Sequence, residues 1–154
     1  MTKVVKKKAE KPDQQAGSRK KSWQEKLHID WEPKKEVTTK RFADIPPGAS
    51  MLIATPLIVD QYIRQIPRGH FADIRQIRKD LAAEYHAQYT CPVTTGIFVR
   101  IVAEAAFEEY ENGKALAQIT PFWRALSAKS PSAKKLSFGM NFLLEQQRKE
   151  GIIP

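Results

Sequence analysis

Three groups of side chains in this sequence have types and spacing suited to chemistry. The first is the run Ile119-Thr120-Pro121-Phe122-Trp123-Arg124-Ala125-Leu126, where two adjacent aromatics stand between a proline and an arginine. Aromatic faces of this kind can hold a nucleic-acid base by stacking, worth about 1–3 kcal/mol per base. They cannot start a reaction, since Phe122 is no nucleophile and Trp123 has no basic nitrogen. The second is Cys91, the one cysteine in the chain, placed before Pro92 at a helix start where the macrodipole favours a thiolate. No histidine neighbours it in sequence, and a lone small thiol is more often simply packed. The third is a set of cations and hydroxyls, Arg75, Arg78, Lys79, Thr94, Thr95, Lys134 and Lys135, of the types that contact phosphate. His28, His70 and His86 have no metal-ligand spacing, and no metal or cofactor is expected.

The elements that must position these groups follow from periodicity and capping. Ser22-Trp23-Gln24-Glu25 has the capping-box spacing, predicting a short helix over 22–28 with Trp23 and Leu27 on one face. Residues 29–50, with Pro33, Pro46, Pro47 and Gly48, read as an irregular linker pinned by Trp31 and Phe42. A short strand is expected at Met51–Ala54. Thr55-Pro56 then starts a helix to Ile66, with Ile58, Val59, Tyr62, Ile63 and Ile66 on its buried stripe. Asp73 and Gln76 open a helix to His86 that buries Ile74, Ile77 and Leu81 and leaves Arg75, Arg78 and Lys79 largely on the other side. The longest pattern runs from Pro92 to Tyr110, apolar on two rows, with Glu104, Glu108, Glu109 and Glu111 at its far end. Only its first turns suit a polyanion. Ile119–Leu126 is predicted to be extended, so that Phe122 and Trp123 point opposite ways, one toward a pocket, unless both belong to the core. A polar loop over 127–135 and a helix over 138–149 complete the chain.

Charge is unevenly spread. Residues 1–41 hold 13 Lys and Arg against 6 Asp and Glu, whereas residues 42–154 hold 13 against 11, so the excess sits in the leading segment. That sign favours nucleic acid or other polyanions. Residues 1–21, with Lys6-Lys7-Lys8 and Arg19-Lys20-Lys21 and almost no aliphatic content, are predicted to be a disordered basic arm that would hold phosphates loosely or act as a solvated leader. No apolar run approaches the ~18 residues of a membrane span, and the start lacks a secretory signal, so a cytoplasmic, nucleoid-associated location is expected.

Helix, turn, helix and a following loop are the order of a winged helix, and spacing alone leads no further. Pro121 and Arg124, with Leu136-Ser137-Phe138-Gly139-Met140, Phe142-Leu143-Leu144 and Lys149-Glu150-Gly151, resemble the active-site half of the alkylguanine-DNA alkyltransferase (methylated-DNA-protein cysteine methyltransferase) family. That family has Pro-Cys-His-Arg, a wing, a glycine turn and a helix ending Leu-Leu-x-x-Glu-Gly. Phe122 stands in the cysteine's place and Trp123 in the histidine's. The resemblance, over roughly residues 50–153, therefore implies an alkyltransferase-like protein without alkyl transfer. Arg124 would hold a wing carbonyl or a phosphate. Glu150 matches the glutamate that orients the histidine, yet has no histidine to orient, and reads as a surface charge near a helix end. The arginine that opens the family's recognition helix is absent from Thr94-Thr95-Gly96-Ile97, and Ile74 stands near the family's tyrosine.

These readings combine into an α+β, mostly α, winged helix-turn-helix domain over 51–154, with a helix and linker over 22–50 docked on it and the arm over 1–21. A base pocket is expected from Pro121, Phe122, Trp123, Arg124 and Phe138. DNA contacts are expected from Ile74, which doubles as a core candidate, and from Arg75, Arg78, Lys79, Thr94, Thr95, Lys134 and Lys135. The expected function is non-enzymatic binding of double-stranded DNA by a monomer, at alkylated or otherwise damaged bases, flagging them for repair proteins. The alternative is a protein-interaction module on the same scaffold, and a weaker third reading is an enzyme using Cys91.

Overall fold

The computed structural model describes residues 20–153. All but the last two residues of the expected arm lie outside that range. The fold is mostly helical α+β, with a small three-stranded mixed sheet. Helix α1 (Trp23–Leu27) is followed by strands β1 (Lys34–Val37) and β2 (Ser50–Ile53). Helices α2 (Pro56–Arg64) and α3 (Ile74–Glu84) come next, then strand β3 (Tyr89–Thr90) and the long helix α4 (Pro92–Glu111). The last third holds a 3-10 turn at Phe122–Arg124, the short helix α5 (Pro131–Lys134) and helix α6 (Asn141–Lys149).

The helix starts are written in local chemistry. Ser22 Oγ accepts the Glu25 amide and the Glu25 carboxylate accepts the Ser22 amide, completing the capping box of α1. Thr55 caps α2 ahead of Pro56, and Asp73 caps α3 by accepting the Gln76 amide at 2.9 Å. Five residues cannot sustain a helix in water; α1 persists because it packs on α4. Gln24 donates from its side chain to Ala105 O at 2.9 Å and from its amide to Glu108 at 3.2 Å, while Leu27 is buried in the main core.

Helix α4 runs through that core, burying Phe98, Val99, Val102, Ala103, Ala105 and Ala106 against α2, α3 and the turn at 122–124. The sheet was only partly foreseeable. β2 was expected and carries buried Met51 and Leu52, but β1, with sequence Lys-Lys-Glu-Val, is exposed at every position and has no period-two apolar signal. It pairs antiparallel with β2, and β3 adds in parallel on the other side.

Beyond residue 126, two further segments depart from expectation. Residues 127–135 contain no strand; Ser130 caps the short helix α5 instead, so the expected wing is a helical connection. Helix α6 starts at Asn141 rather than near Phe138, because Gly139 (φ +80°) makes a turn there and Glu104 fastens it. That carboxylate, buried in mid-α4, accepts the Ser137 amide at 2.8 Å and the Ser137 hydroxyl at 2.5 Å.

Candidate functional site

The segment expected to be extended, Ile119–Leu126, is a tight turn. Thr120 Oγ1 donates to Asp60 at 2.6 Å, tying its start to α2, and Gln147 Nε2 donates to Trp123 O and Leu126 O at 3.0 and 2.8 Å. Curling the backbone removes the strand's alternation, so both aromatics turn inward rather than one. Phe122 is 0% exposed, stacked on Phe142 and edge-on to Trp123 and Phe138; Trp123 is also buried, as is Pro121. Phe138 is likewise occupied, its ring stacked on Phe107 at 4.0 Å between centroids. Phe122 and Trp123 offer no free face to a base and Phe138, half-buried, has a face covered by Phe107, which corrects the expected pocket at Pro121, Phe122, Trp123 and Phe138.

Glu150 is the largest correction. Its side chain is 2% exposed and accepts from the Trp123 indole Nε1 (2.7 Å), from Arg124 Nε and Nη2 (both 2.9 Å) and from the Gly69 amide (3.0 Å), with Arg68 3.6 Å away. Burial alone would raise its carboxyl; the hydrogen bonds from Arg124, the Gly69 amide and Trp123, with the charge of Arg124, outweigh that and bring it down to about 2. Arg124 also donates to Ile66 O at 2.8 Å. Its role is therefore to hold a backbone carbonyl, that of Ile66 at the end of the α2 region rather than one in the expected wing. The arginine, the indole and the carboxylate together join the end of α6 to the 122–124 turn and to the loop after α2.

The expected phosphate contacts divide. Arg75 and Lys79 on α3 and Lys134 and Lys135 near α5 are exposed. Arg78 is not on the solvated face. Its guanidinium donates to Thr90 O at 2.8 Å and forks onto Asp44 at 2.8 and 3.2 Å, pulling the Asp44 carboxyl down through that hydrogen bond. Thr95 is fully buried and donates back to Cys91 O at 2.6 Å, and the Thr94 hydroxyl is buried without a hydrogen-bond partner among the described residues. Neither hydroxyl is available to a phosphate. Ile74, expected partly as core, is exposed instead. Cys91 is buried with Ile45, Ala49 and Met51, its amide donating to Leu52 O. Arg78→Gln should accordingly cost stability, about 1–2 kcal/mol in a urea melt, and leave any duplex affinity intact. Lys79→Gln should do the reverse.

A feature not read from the sequence lies beside the first turns of α4. A groove of about 860 Å³ opens there, between α1 with the segment to Trp31 on one side and residues 125–135 on the other. Its floor is the α4 face bearing Val93, Ile97 and Arg100, spaced i, i+4, i+7, and the first two are 55% and 51% exposed. Trp23 and Trp31 wall it, and Trp31, expected to pin the linker, is 54% exposed with its ring tilted against Phe98. Ile74 and Ser132 border it where they approach Gly96, the Ser132 hydroxyl donating to Gly96 O at 3.0 Å. The cations Lys26, Arg100 and Lys135 line it with Asp73, whose carboxylate caps α3. Ala125 and Leu126 contribute to its wall; Phe122 and Trp123 do not. The signal for it lay in α4, where Val93 and Ile97 extend the apolar rows past the point at which core is left to cover them.

Among the described residues no three His, Cys, Asp or Glu side chains gather as metal ligands, and no helix is long and apolar enough to cross a membrane. No family model matches this chain, and no curated protein or solved structure matches it either.

Proposed function

We propose that the protein is an alkyltransferase-like helix-turn-helix protein that binds duplex DNA without reacting with it and receives a displaced, damaged base in the groove beside α4. The groove carries this reading. It exceeds the volume of a base, its walls are apolar with two indoles to stack on, and it opens at the first turns of the helix that would approach DNA. An alkyl substituent suits such a lining, and Ser132 keeps acceptor lone pairs for the edge of a base. Exposed Arg75, Lys79, Lys134 and Lys135 supply phosphate contacts, while Glu108, Glu109 and Glu111 sit at the opposite end of α4. The Trp123–Glu150 hydrogen bond supports the kinship. In the family the resemblance points to, the glutamate holds a histidine ring next to the nucleophile, and here an indole takes the ring's place. The seven-residue connection between α3 and α4 and the helical α5 in place of a wing are departures within that scaffold.

Titration against duplexes with and without an alkylated guanine, at two salt concentrations and with a labelled alkyl group, tests this. Binding that weakens with salt and tightens on the lesion, with no label on the protein, is the expected result. Absence of binding at low salt overturns it. A second reading, docking of a partner protein on this scaffold, is favoured by the exposed apolar set Trp31, Ile74, Val93 and Ile97 around one opening.

A further inference from the structure

We infer that the α1 end of the groove is a phosphate subsite, in which Lys26 and Arg100, gathered over the indole of Trp23, hold a phosphodiester of the strand whose base enters the groove. The inference rests on the duplex-binding reading and adds to it a role for α1, which otherwise only covers core. Lys26 Nζ lies 4.1 Å from the centroid of the Trp23 ring and Arg100 Cζ lies 5.1 Å from the same centroid. Both side chains also line the groove, so an anion entering at this end meets two cations held near one ring.

Arg100 is also under-used. Its Nε is buried with no hydrogen-bond partner among the described residues, and its one carboxylate contact, Nη2 to Glu104, is long at 3.4 Å. Glu104 itself is committed to the Ser137 amide and hydroxyl at 2.8 and 2.5 Å, so it neutralises Arg100 only in part. The buried Nε is out of reach of a phosphate, but the part-exposed outer N–H groups can fork onto its oxygens, and a lysine lining the same groove adds a point charge. Position agrees with chemistry. Along the exposed row of α4, Val93 and Ile97 are apolar and Arg100 comes last, nearest α1. A nucleotide lying along that row would meet apolar floor under its base and charge under its backbone. The α1 helix brings the second cation because Gln24 fixes it to Ala105 O and Glu108.

The test is the salt dependence of duplex binding for the wild-type chain, Lys26→Gln, Arg100→Gln, Arg100→Lys and Lys79→Gln. Removing a single phosphate interaction should flatten the slope of log affinity on log salt by about one. Lys26→Gln and Arg100→Gln should both do so and weaken binding about tenfold at low salt, equally on every sequence. Arg100→Lys should keep most of the slope that Arg100→Gln loses, whereas a purely structural arginine would give the same slope in both variants. Lys26 lies over the half-buried Trp23 ring and outside the core, so Lys26→Gln keeps the test decisive if Arg100→Gln fails to fold. An unchanged slope for Lys26→Gln, and for Arg100→Gln where it folds, with Lys79→Gln reduced, overturns the subsite and leaves duplex binding standing. A wild-type chain that binds no duplex at low salt overturns both.

Discussion

Glu150→Ala is expected to cost about 3–5 kcal/mol of folding stability, because it removes one partner of a buried ion pair and leaves the other behind. Arg124 would keep its bond to Ile66 O but be deprived of two to the carboxylate, and the Trp123 indole N–H and the Gly69 amide would be left without their acceptor as well. For a domain whose whole stability is on the order of 5–15 kcal/mol, that is a large share. Glu150→Gln keeps the volume and one acceptor oxygen, so its cost should be smaller. The pH dependence separates charge from shape. The folded carboxyl sits at about 2, below its ordinary value of 4.5, so the unfolded chain takes up the proton first as pH falls. The stability Glu150 contributes is thus complete above pH 4.5 and is lost as pH falls from there toward 2. At about 1.4 kcal/mol per pH unit between the two values, it amounts to roughly 3 kcal/mol. Denaturant melts across that window should show the decline in the wild-type chain and a flatter profile in Glu150→Gln. Parallel profiles would show that the pair contributes through packing alone.

What the sequence made legible, and what it hid, divides along the range of the interactions. The caps at Ser22, Thr55 and Asp73 were readable because a cap is a bond between residues three apart, and each helix begins where its cap places it. The core of α4 was readable from two apolar rows. Strand β1 was hidden because its stability comes from backbone pairing with β2, further along the chain, and none of its side chains records that partnership. Arg78 was misplaced for a similar reason. Helical spacing puts it on the outer face, but Asp44 and Thr90 come from other parts of the chain to meet it. Glu150 illustrates the same limit at the candidate site: its role is set by Gly69, 81 residues away, and by a turn at 122–124 that a run of apolar residues represents as a strand. The groove was least legible, since a cavity is defined by what does not pack there. Ile97 reads with Ile101 and Ala105 as part of a buried row, and only its exposure beside Val93 reveals the opening.

The second large effect concerns position 122. Phe122→Cys would restore the residue type that the alkyltransferase resemblance calls for, yet the expected result is a protein destabilised by about 3 kcal/mol that takes up no label from an alkylated-guanine duplex. The energetic part follows from burial: the ring is wholly enclosed by Trp123, Phe138 and Phe142, and a thiol would leave most of its volume empty. The chemical part goes beyond the missing sulfur. Combining Phe122→Cys with Trp123→His would supply both a thiol and an imidazole that Glu150 could hold, as it holds the indole at 2.7 Å. Transfer should still fail, because attack requires the sulfur to reach the alkyl carbon in line. The groove's wall is formed by Ala125 and Leu126, with position 122 behind it in the aromatic core. Stopped-time incubation with labelled duplex, followed by counting of denatured protein, decides the matter. Label on the double variant would mean that the 122–124 turn opens far enough to bring the sulfur into the groove, and the assignment of this scaffold to binding alone would then rest on two substitutions rather than on its packing.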